Sequence, residues 1–242
     1  MSEALSQLLA DCGLFVLLAL AGIALAKGRV RFAWLAIAFG LFILQDFALT
    51  RGWGAFAFDV VDSRWNWEGK IVSTLVLLAL ALVLFAGRWE ATGIRLRQDG
   101  PASLAALAVT LALGALVAAA AYWLVPGSGG RLEDIAFQAT MPGIEEEIFY
   151  RGLLLGALDK AFGTPLKVLR APVGWGAVAS AMLFAAAHAL SLSPEMALAL
   201  DLNQAACLFP AGLVLAWLRN ATGSILMPLV LHSWANVSVY LL

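Results

Sequence analysis

The chain of 242 residues is 62% hydrophobic and only 13% charged. Soluble domains carry about a quarter charged residues and fewer apolar ones, so this composition excludes a soluble globular protein and indicates an integral membrane protein. The formal net charge of −1 argues against a nucleic-acid partner or a polybasic role.

Windows of about 20 apolar residues predict eight membrane-spanning helices. In chain order these cover residues 8–26, 32–50, 70–87, 102–124, 134–157, 172–192, 196–218 and 223–241. The expected fold is an all-α, polytopic membrane helical bundle with an intramembrane polar cavity. A glycine-rich stretch at residues 126–130 predicts a turn between a four-helix N-terminal transmembrane region, residues 1–130, and a C-terminal transmembrane core, residues 131–242.

Basic residues in the connections predict the orientation of the chain. One set of alternate loops holds ten of them, namely Lys27, Arg29, Arg31, Arg88, Arg95, Arg97, Lys160, Lys167, Arg170 and Arg219. The other set holds four, namely Arg51, Arg64, Lys70 and Arg131. Because short loops rich in Lys and Arg stay in the cytoplasm, we expect both chain termini on the non-cytoplasmic side.

The two cysteines, Cys12 and Cys207, both lie in apolar segments that are predicted to be helical. Two distant thiols can in principle form a disulfide. Free cysteine is among the most buried residue types, so we expect two buried small side chains instead.

The fifth predicted span carries Glu145, Glu146, Glu147 and Arg151 within seven residues. A charge at the bilayer centre costs about 2.5–3.5 kcal/mol, so such residues usually face the bundle interior and have a partner or a task. On an α-helix Glu147 and Arg151 share a face, which predicts an ion pair. Glu146 points to a different side of the helix, and Glu145 has no assigned role. The alternative is a structural ion-pair lock between helices.

Only two histidines occur, and both lie in the same half of the chain as the glutamates. Phe184 precedes His188 by four residues and Asn236 follows His232 by four, so each histidine has a companion one helical turn away. A desolvated glutamate suits a general base, an imidazole can hold the water being activated, and His or Asn donors can stabilise an oxyanion. Two interhelical hydrogen-bonding histidines are the structural alternative.

Three alternatives to metal-free hydrolysis remain open at this point. A zinc ion could be held by Glu146, His188 and His232, since two His and one Glu form a known catalytic set, although no His-Glu-x-x-His motif is present. Intramembrane carboxylates and histidines also relay protons in proton-coupled transporters, but here they fall in one half rather than in paired repeats. The third alternative is a membrane protein with the same helical-bundle fold that has no catalytic activity and acts as an immunity or partner protein.

These motifs resemble those of the CAAX protease and bacteriocin-processing family (CPBP, or Abi) of intramembrane endopeptidases. The family signature is Glu-Glu-x-x-x-Arg, then Phe-x-x-x-His, then His-x-x-x-Asn. It is matched here by residues 146–151, 184–188 and 232–236. The resemblance covers about residues 134–242 and implies an endopeptidase that cleaves a membrane-associated protein or peptide in the bilayer.

The resemblance also implies a role for each motif residue. Glu146 is expected to activate water and His188 to position it, while His232 and Asn236 form the oxyanion site. Four further residues are expected to support this geometry, namely Glu147, Arg151, Phe184 and Tyr150. The hydroxyl of Tyr150, which stands where phenylalanine is commoner, is placed to bond to Glu146. The glutamate mechanism requires no cofactor, although family members were long called metalloproteases, which keeps zinc as the alternative.

The predicted topology bears on the substrate. Bacterial relatives are linked to bacteriocin self-immunity or maturation and to release of anchored surface proteins, so we expect a bacterial cytoplasmic membrane protein. Glu146 lies about a dozen residues, or roughly 18 Å at 1.5 Å per residue, from the predicted outer end of its helix. We therefore expect a cavity that opens to the non-cytoplasmic side and a translocated substrate rather than a cytosolic prenylated one.

Overall fold

The structure, a computed structural model, describes residues 3–26, 28, 30–56, 61–124, 129–193 and 195–241. Lys27, Arg29 and most of the predicted turn at 126–130 lie outside the described residues. Within the described ranges the regular secondary structure is helical apart from two short hairpins. The predicted all-α membrane bundle is therefore confirmed.

Eight long helical stretches form the described bundle. The N-terminal part contains α1 (Glu3–Leu25), α2 (Phe32–Leu49), α3 (Trp67–Leu84), the single turn α4 (Trp89–Thr92) and α5 (Ser103–Leu124). The C-terminal part contains α6 (Leu132–Glu146), a π-helix (Glu147–Leu154), α7 (Leu155–Phe162), α8 (Trp175–Ala189), α9 (Leu202–Thr222) and α10 (Leu226–Leu241). Because α6, the π-helix and α7 follow one another without a break, they form one continuous helical stretch.

Each predicted span coincides with one of these stretches. Among the described residues, five helices are long and apolar enough to cross a membrane, namely α1, α2, α3, α5 and α9. The helices α8 and α10 are apolar but shorter. The remaining stretch, from α6 to α7, carries the charged residues that made it unusual in the sequence.

Two antiparallel hairpins lie between helices, at opposite ends of α8. Strand β1 (Leu166–Val168) pairs with β2 (Ala171–Val173), and β3 (Leu190–Leu192) pairs with β4 (Leu198–Leu200). The predictions of helix over residues 172–173, 190–192 and 198–200 are therefore wrong. The carboxylate of Asp201 accepts a hydrogen bond from the backbone N–H of Gln204, which caps α9 and fixes its start after the hairpin.

The helical stretch from α6 to α7 runs through the middle of the bundle. Phe149, Leu153 and Leu154 of its π-helix are fully buried and belong to a core to which α1, α2, α3 and α8 also contribute. A π-helix bonds i to i+5, is rare, and is frequent at functional sites. The even 3.6-residue period assumed from the sequence is therefore wrong for residues 147–154.

A close approach of α6 and α10 brings the motifs together. A Cβ atom added at Gly143 of α6 would meet the Ser233 hydroxyl of α10, so a larger residue there would require the serine side chain to move. Ser233 directly follows His232 in the sequence. The missing side chain at residue 143 thus lets α10 present His232 to the glutamates.

Contacts between helix ends define one end of the bundle. The indole of Trp65, just before α3, donates to Asp134 at the start of α6 over 2.8 Å. The backbone N–H of Gly130 donates to the carbonyl of Tyr240 near the end of α10 over 3.0 Å. The starts of α3 and α6 and the end of α10 therefore lie together, and we call this the termini end.

Candidate functional site

A cavity of about 660 Å³ lies between α3, α6, α8, α9 and α10. Trp65, Gln138 and Asn203 line it near the starts of α3, α6 and α9, so it opens at the termini end. All four residues expected to be catalytic line the same cavity, namely Glu146, His188, His232 and Asn236. The structure thus brings together residues that are separated by up to 90 positions in the sequence.

The two carboxylate oxygens of Glu146 have different surroundings. Oε1 accepts a hydrogen bond from Nζ of Lys70 over 2.8 Å. Oε2 lies 3.7 Å from Nε2 of His188 and 3.8 Å from Nε2 of His232, which is too long for direct hydrogen bonds. No described residue hydrogen-bonds to this buried Oε2. One oxygen of Glu146 is therefore held, and the other faces both imidazoles.

His188 is oriented by its own helix. Its Nδ1 lies 2.9 Å from the carbonyl oxygen of Phe184, one turn earlier in α8. Because a carbonyl oxygen only accepts, Nδ1 carries a hydrogen, and Nε2 points towards Glu146. The His188 side chain is 36% exposed, so this nitrogen is accessible from the cavity.

His232 is oriented by Glu147. Its Nδ1 lies 2.7 Å from Oε1 of Glu147, and the guanidinium of Arg151 donates to the same oxygen over 3.0 Å. The side chains of Glu147 and Arg151 are both fully buried. The predicted ion pair is therefore present within the π-helix, and it also fixes the imidazole ring of α10.

The ring of Phe184 contacts several of the side chains that surround the catalytic candidates. The guanidinium carbon of Arg151 lies 4.2 Å from its centroid, and the rings of His232 and Tyr150 meet it edge-on at 5.7 and 5.4 Å. The predicted bond between the Tyr150 hydroxyl and Glu146 is wrong, since the described contacts of Tyr150 contain none. Its ring is instead held edge-on between Phe149 and Phe184.

The N-terminal helices contribute residues that sequence reasoning missed. Lys70 was counted among loop charges, but it lies in the first turn of α3 with Nζ 2.8 Å from both Glu145 and Glu146. The other oxygen of Glu145 accepts from the Gln45 amide over 2.8 Å and from the Ser73 hydroxyl over 2.6 Å. Lys70, Gln45 and Ser73 are polar residues within apolar segments of the sequence. The same feature, a polar residue in an apolar segment, singles out the glutamates.

The two thiols differ from expectation. Both cysteines are free, Cys12 is half-buried, and Cys207 is exposed and lines the cavity. The prediction of a buried Cys207 is wrong because the face of α9 that carries it forms the cavity wall. Cys207 therefore provides a thiol in the cavity that a chemical reagent can label.

The positive charge of Lys70 opposes the binding of a zinc ion at Glu146. Among the described residues, no three His, Cys, Asp or Glu side chains are grouped so as to hold a metal. Glu146 would be the third ligand of a zinc ion, but its Oε1 is paired with the ammonium of Lys70, whose positive charge opposes a second cation beside the same carboxylate. We derive no step of the reaction through a metal.

Comparison with known proteins identifies the C-terminal part of the chain. Residues 130–238 match the family model described as Rce1-like, type II CAAX prenyl endopeptidase Rce1-like. No curated protein and no solved structure matches the chain. The matched range contains all three sequence motifs, which confirms the resemblance to the CAAX protease family and supports an intramembrane endopeptidase in general.

Proposed function

Residues 130–238 belong to the CAAX protease family, and on this premise we propose that the protein is an intramembrane endopeptidase that uses a glutamate-activated water. The observation that carries the proposal is the position of Glu146. Its free Oε2 faces Nε2 of both histidines, at 3.7 and 3.8 Å, in the wall of the cavity. The substrate is a membrane-anchored protein or peptide whose scissile bond enters that cavity.

Glu146 acts as the general base. A water between its Oε2 and the two imidazoles lies within hydrogen-bond reach, about 2.6–3.2 Å, of the groups that orient it. His188 accepts one water hydrogen at Nε2, because its Nδ1–H is committed to the Phe184 carbonyl. Glu146 takes the other hydrogen as the water oxygen attacks the carbonyl carbon of the scissile peptide.

His232 and Asn236 stabilise the oxyanion that this attack creates. Glu147, 2.7 Å from Nδ1, supports a positive charge on the His232 ring, so that Nε2–H can donate to the oxyanion. The amide of Asn236, one turn further along α10 and in the same cavity, supplies the second donor. Glu146 then passes its proton to the leaving amine as the carbon–nitrogen bond breaks, which returns the carboxylate to its starting state.

The cavity opens to the non-cytoplasmic side in this proposal. With Lys70 assigned to the site, three of the four basic residues remain in the set of connections that includes the termini end, against ten counted from the sequence in the other set. The positive-inside rule then places the termini end outside the cytoplasm of a bacterial cell. A substrate segment that has already crossed the membrane fits this orientation.

Comparison of cells that make the wild-type protein with cells that make Glu146→Gln tests the function. We expect at least one protein to be released from the membrane by the wild type and to stay membrane-anchored in the variant. The released form should end at a new terminus created by one peptide-bond cleavage, identified by mass spectrometry. Identical anchored and released fractions in the two strains contradict an endopeptidase role.

A further inference from the structure

We propose that Lys70 is a positioning residue of this site: anchored by Glu145, it holds one oxygen of Glu146 so that the other faces both imidazoles. The inference rests on the proposed function and extends the site to a residue outside the matched range 130–238. It also gives Glu145 a role, which the sequence did not.

The position of the ammonium group is the first observation. Nζ of Lys70 lies 2.8 Å from Oε2 of Glu145 and 2.8 Å from Oε1 of Glu146. The lysine side chain is only 12% exposed. A lysine so enclosed between two carboxylates differs from an ordinary surface lysine, whose ammonium is free to move in water.

The anchoring of Glu145 is the second observation. Glu145 is fully buried and accepts three hydrogen bonds, one each from Lys70, Gln45 and Ser73. Gln45 lies in α2, whereas Lys70 and Ser73 lie one turn apart in α3. Both oxygens of Glu145 are thus occupied, so this carboxylate fixes the ammonium and takes no part in the chemistry.

The consequence concerns the orientation of Glu146. A carboxylate with one oxygen bound to a fixed ammonium cannot turn freely, so its second oxygen stays directed at His188 and His232. Without Lys70, two adjacent buried carboxylates repel each other, because the guanidinium of Arg151 is paired with Glu147 instead. We expect Glu146 then to leave its position between the imidazoles.

Kinetics of Lys70→Met test this role. Methionine has a similar length but neither charge nor donor. We expect kcat to fall about 100-fold, as for a misplaced catalytic group, with KM within about threefold of wild type because substrate contacts remain. Lys167→Met, the same change on the exposed strand β1, should keep wild-type values. An unchanged kcat in Lys70→Met overturns the proposal.

A second measurement does not depend on activity. Because the chain has only two histidines, protein labelled with ¹⁵N at histidine alone reports on His188 and His232. We expect the Nε2 signals of both histidines to shift in Lys70→Met and in Glu146→Gln, and to stay unchanged in Lys167→Met. Wild-type signals in folded Lys70→Met overturn the proposal. If methionine prevents folding, Lys70→Gln carries the same expectations.

The two measurements separate this inference from the proposed function. Shifted signals in Lys70→Met, together with a wild-type protein that cleaves no substrate, contradict the endopeptidase proposal but leave the positioning role intact. Cleavage by the wild type, together with full kcat in Lys70→Met, contradicts the positioning role alone. A lower melting temperature with unchanged kcat shows that Lys70 is only structural, which also contradicts it.

Discussion

Nδ1 of His232 lies 2.7 Å from Oε1 of Glu147, while Nε2 of the same ring faces Oε2 of Glu146 at 3.8 Å. Two consecutive glutamates therefore approach opposite nitrogens of one imidazole. Glu147 is bonded through Oε1 to His232 and Arg151 and orients the ring, whereas the unbonded Oε2 of Glu146 faces Nε2 of both histidines in the cavity wall. We therefore predict that substitution of Glu146 and substitution of Glu147 have different effects.

Glu146→Gln should abolish cleavage while the protein stays folded in the membrane. The amide cannot take a proton from water, and general-base catalysis contributes about 10²–10⁴-fold to the rate. Glu90→Gln, on the exposed turn α4, is the matched control and should retain full activity. The rate of peptide release by purified protein measures both, and wild-type activity in Glu146→Gln rejects the assigned base.

Arg151→Met should destabilise the protein strongly. It leaves Glu147 as a buried charge without its cation, and breaking a buried ion pair in this way costs about 3–5 kcal/mol. Thermal unfolding in detergent measures the effect. In the control Arg97→Met, the exposed pair with Asp99 is lost, for which we expect about 0–1 kcal/mol. Equal melting temperatures for the two variants contradict a supporting role for Arg151.

Asn236→Ala should lower kcat and leave KM nearly unchanged. Loss of one oxyanion donor costs about 10²–10³-fold in kcat, because the bond is made mainly in the transition state. Asn203→Ala removes another amide from the wall of the same cavity, on α9, and has no assigned part in the reaction. If both variants lose activity equally, the amides serve substrate binding rather than the oxyanion.

Cys207 should react with a membrane-impermeant thiol reagent applied to the outside of intact spheroplasts. It is exposed and lines the cavity, which opens at the termini end. Cys207→Ser should lose the label. In that background, cysteines introduced at Arg131 and Glu195 should restore outside labelling. Labelling of all three positions only after the membrane is permeabilised shows that the cavity faces the cytoplasm.

Chelation should leave cleavage unaffected. The ammonium of Lys70 opposes a metal at Glu146, and the proposed base acts on water directly. Activity is measured after prolonged treatment with a strong zinc chelator, alongside metal analysis of the purified protein. Activity that disappears and returns with added zinc supports the alternative in which Glu146, His188 and His232 are ligands.

Local signals were sufficient to predict the helices and to single out four of the residues that line the cavity. Apolar runs located eight helical stretches, and the i, i+4 spacings of Phe184 with His188 and of His232 with Asn236 identified the motif faces. Lys70 was missed because a charge in the first turn of a helix looks like a loop charge. Its partner Glu145 is 75 residues away, and only packing brings them together.

The π-helix and the second hairpin were missed for related reasons. Apolar composition does not distinguish an i+5 bonding pattern from an i+4 one, so residues 147–154 read as ordinary helix. The strands β3 and β4 are as apolar as the flanking helices, and the cap at Asp201 was the one local sign that α9 starts later.

Helices α2 and α3 contribute side chains to the site, and this limits how the protein can be truncated or combined with other proteins in chimeras. A fragment of residues 131–242 carries the whole recognisable signature, yet it lacks the ammonium, amide and hydroxyl that Lys70, Gln45 and Ser73 supply to the glutamates. We therefore expect such a fragment to be inactive on its own, and we expect a chimera that exchanges the first five helices to lose these contacts to the glutamates. Engineering of new specificities should therefore begin from the intact chain.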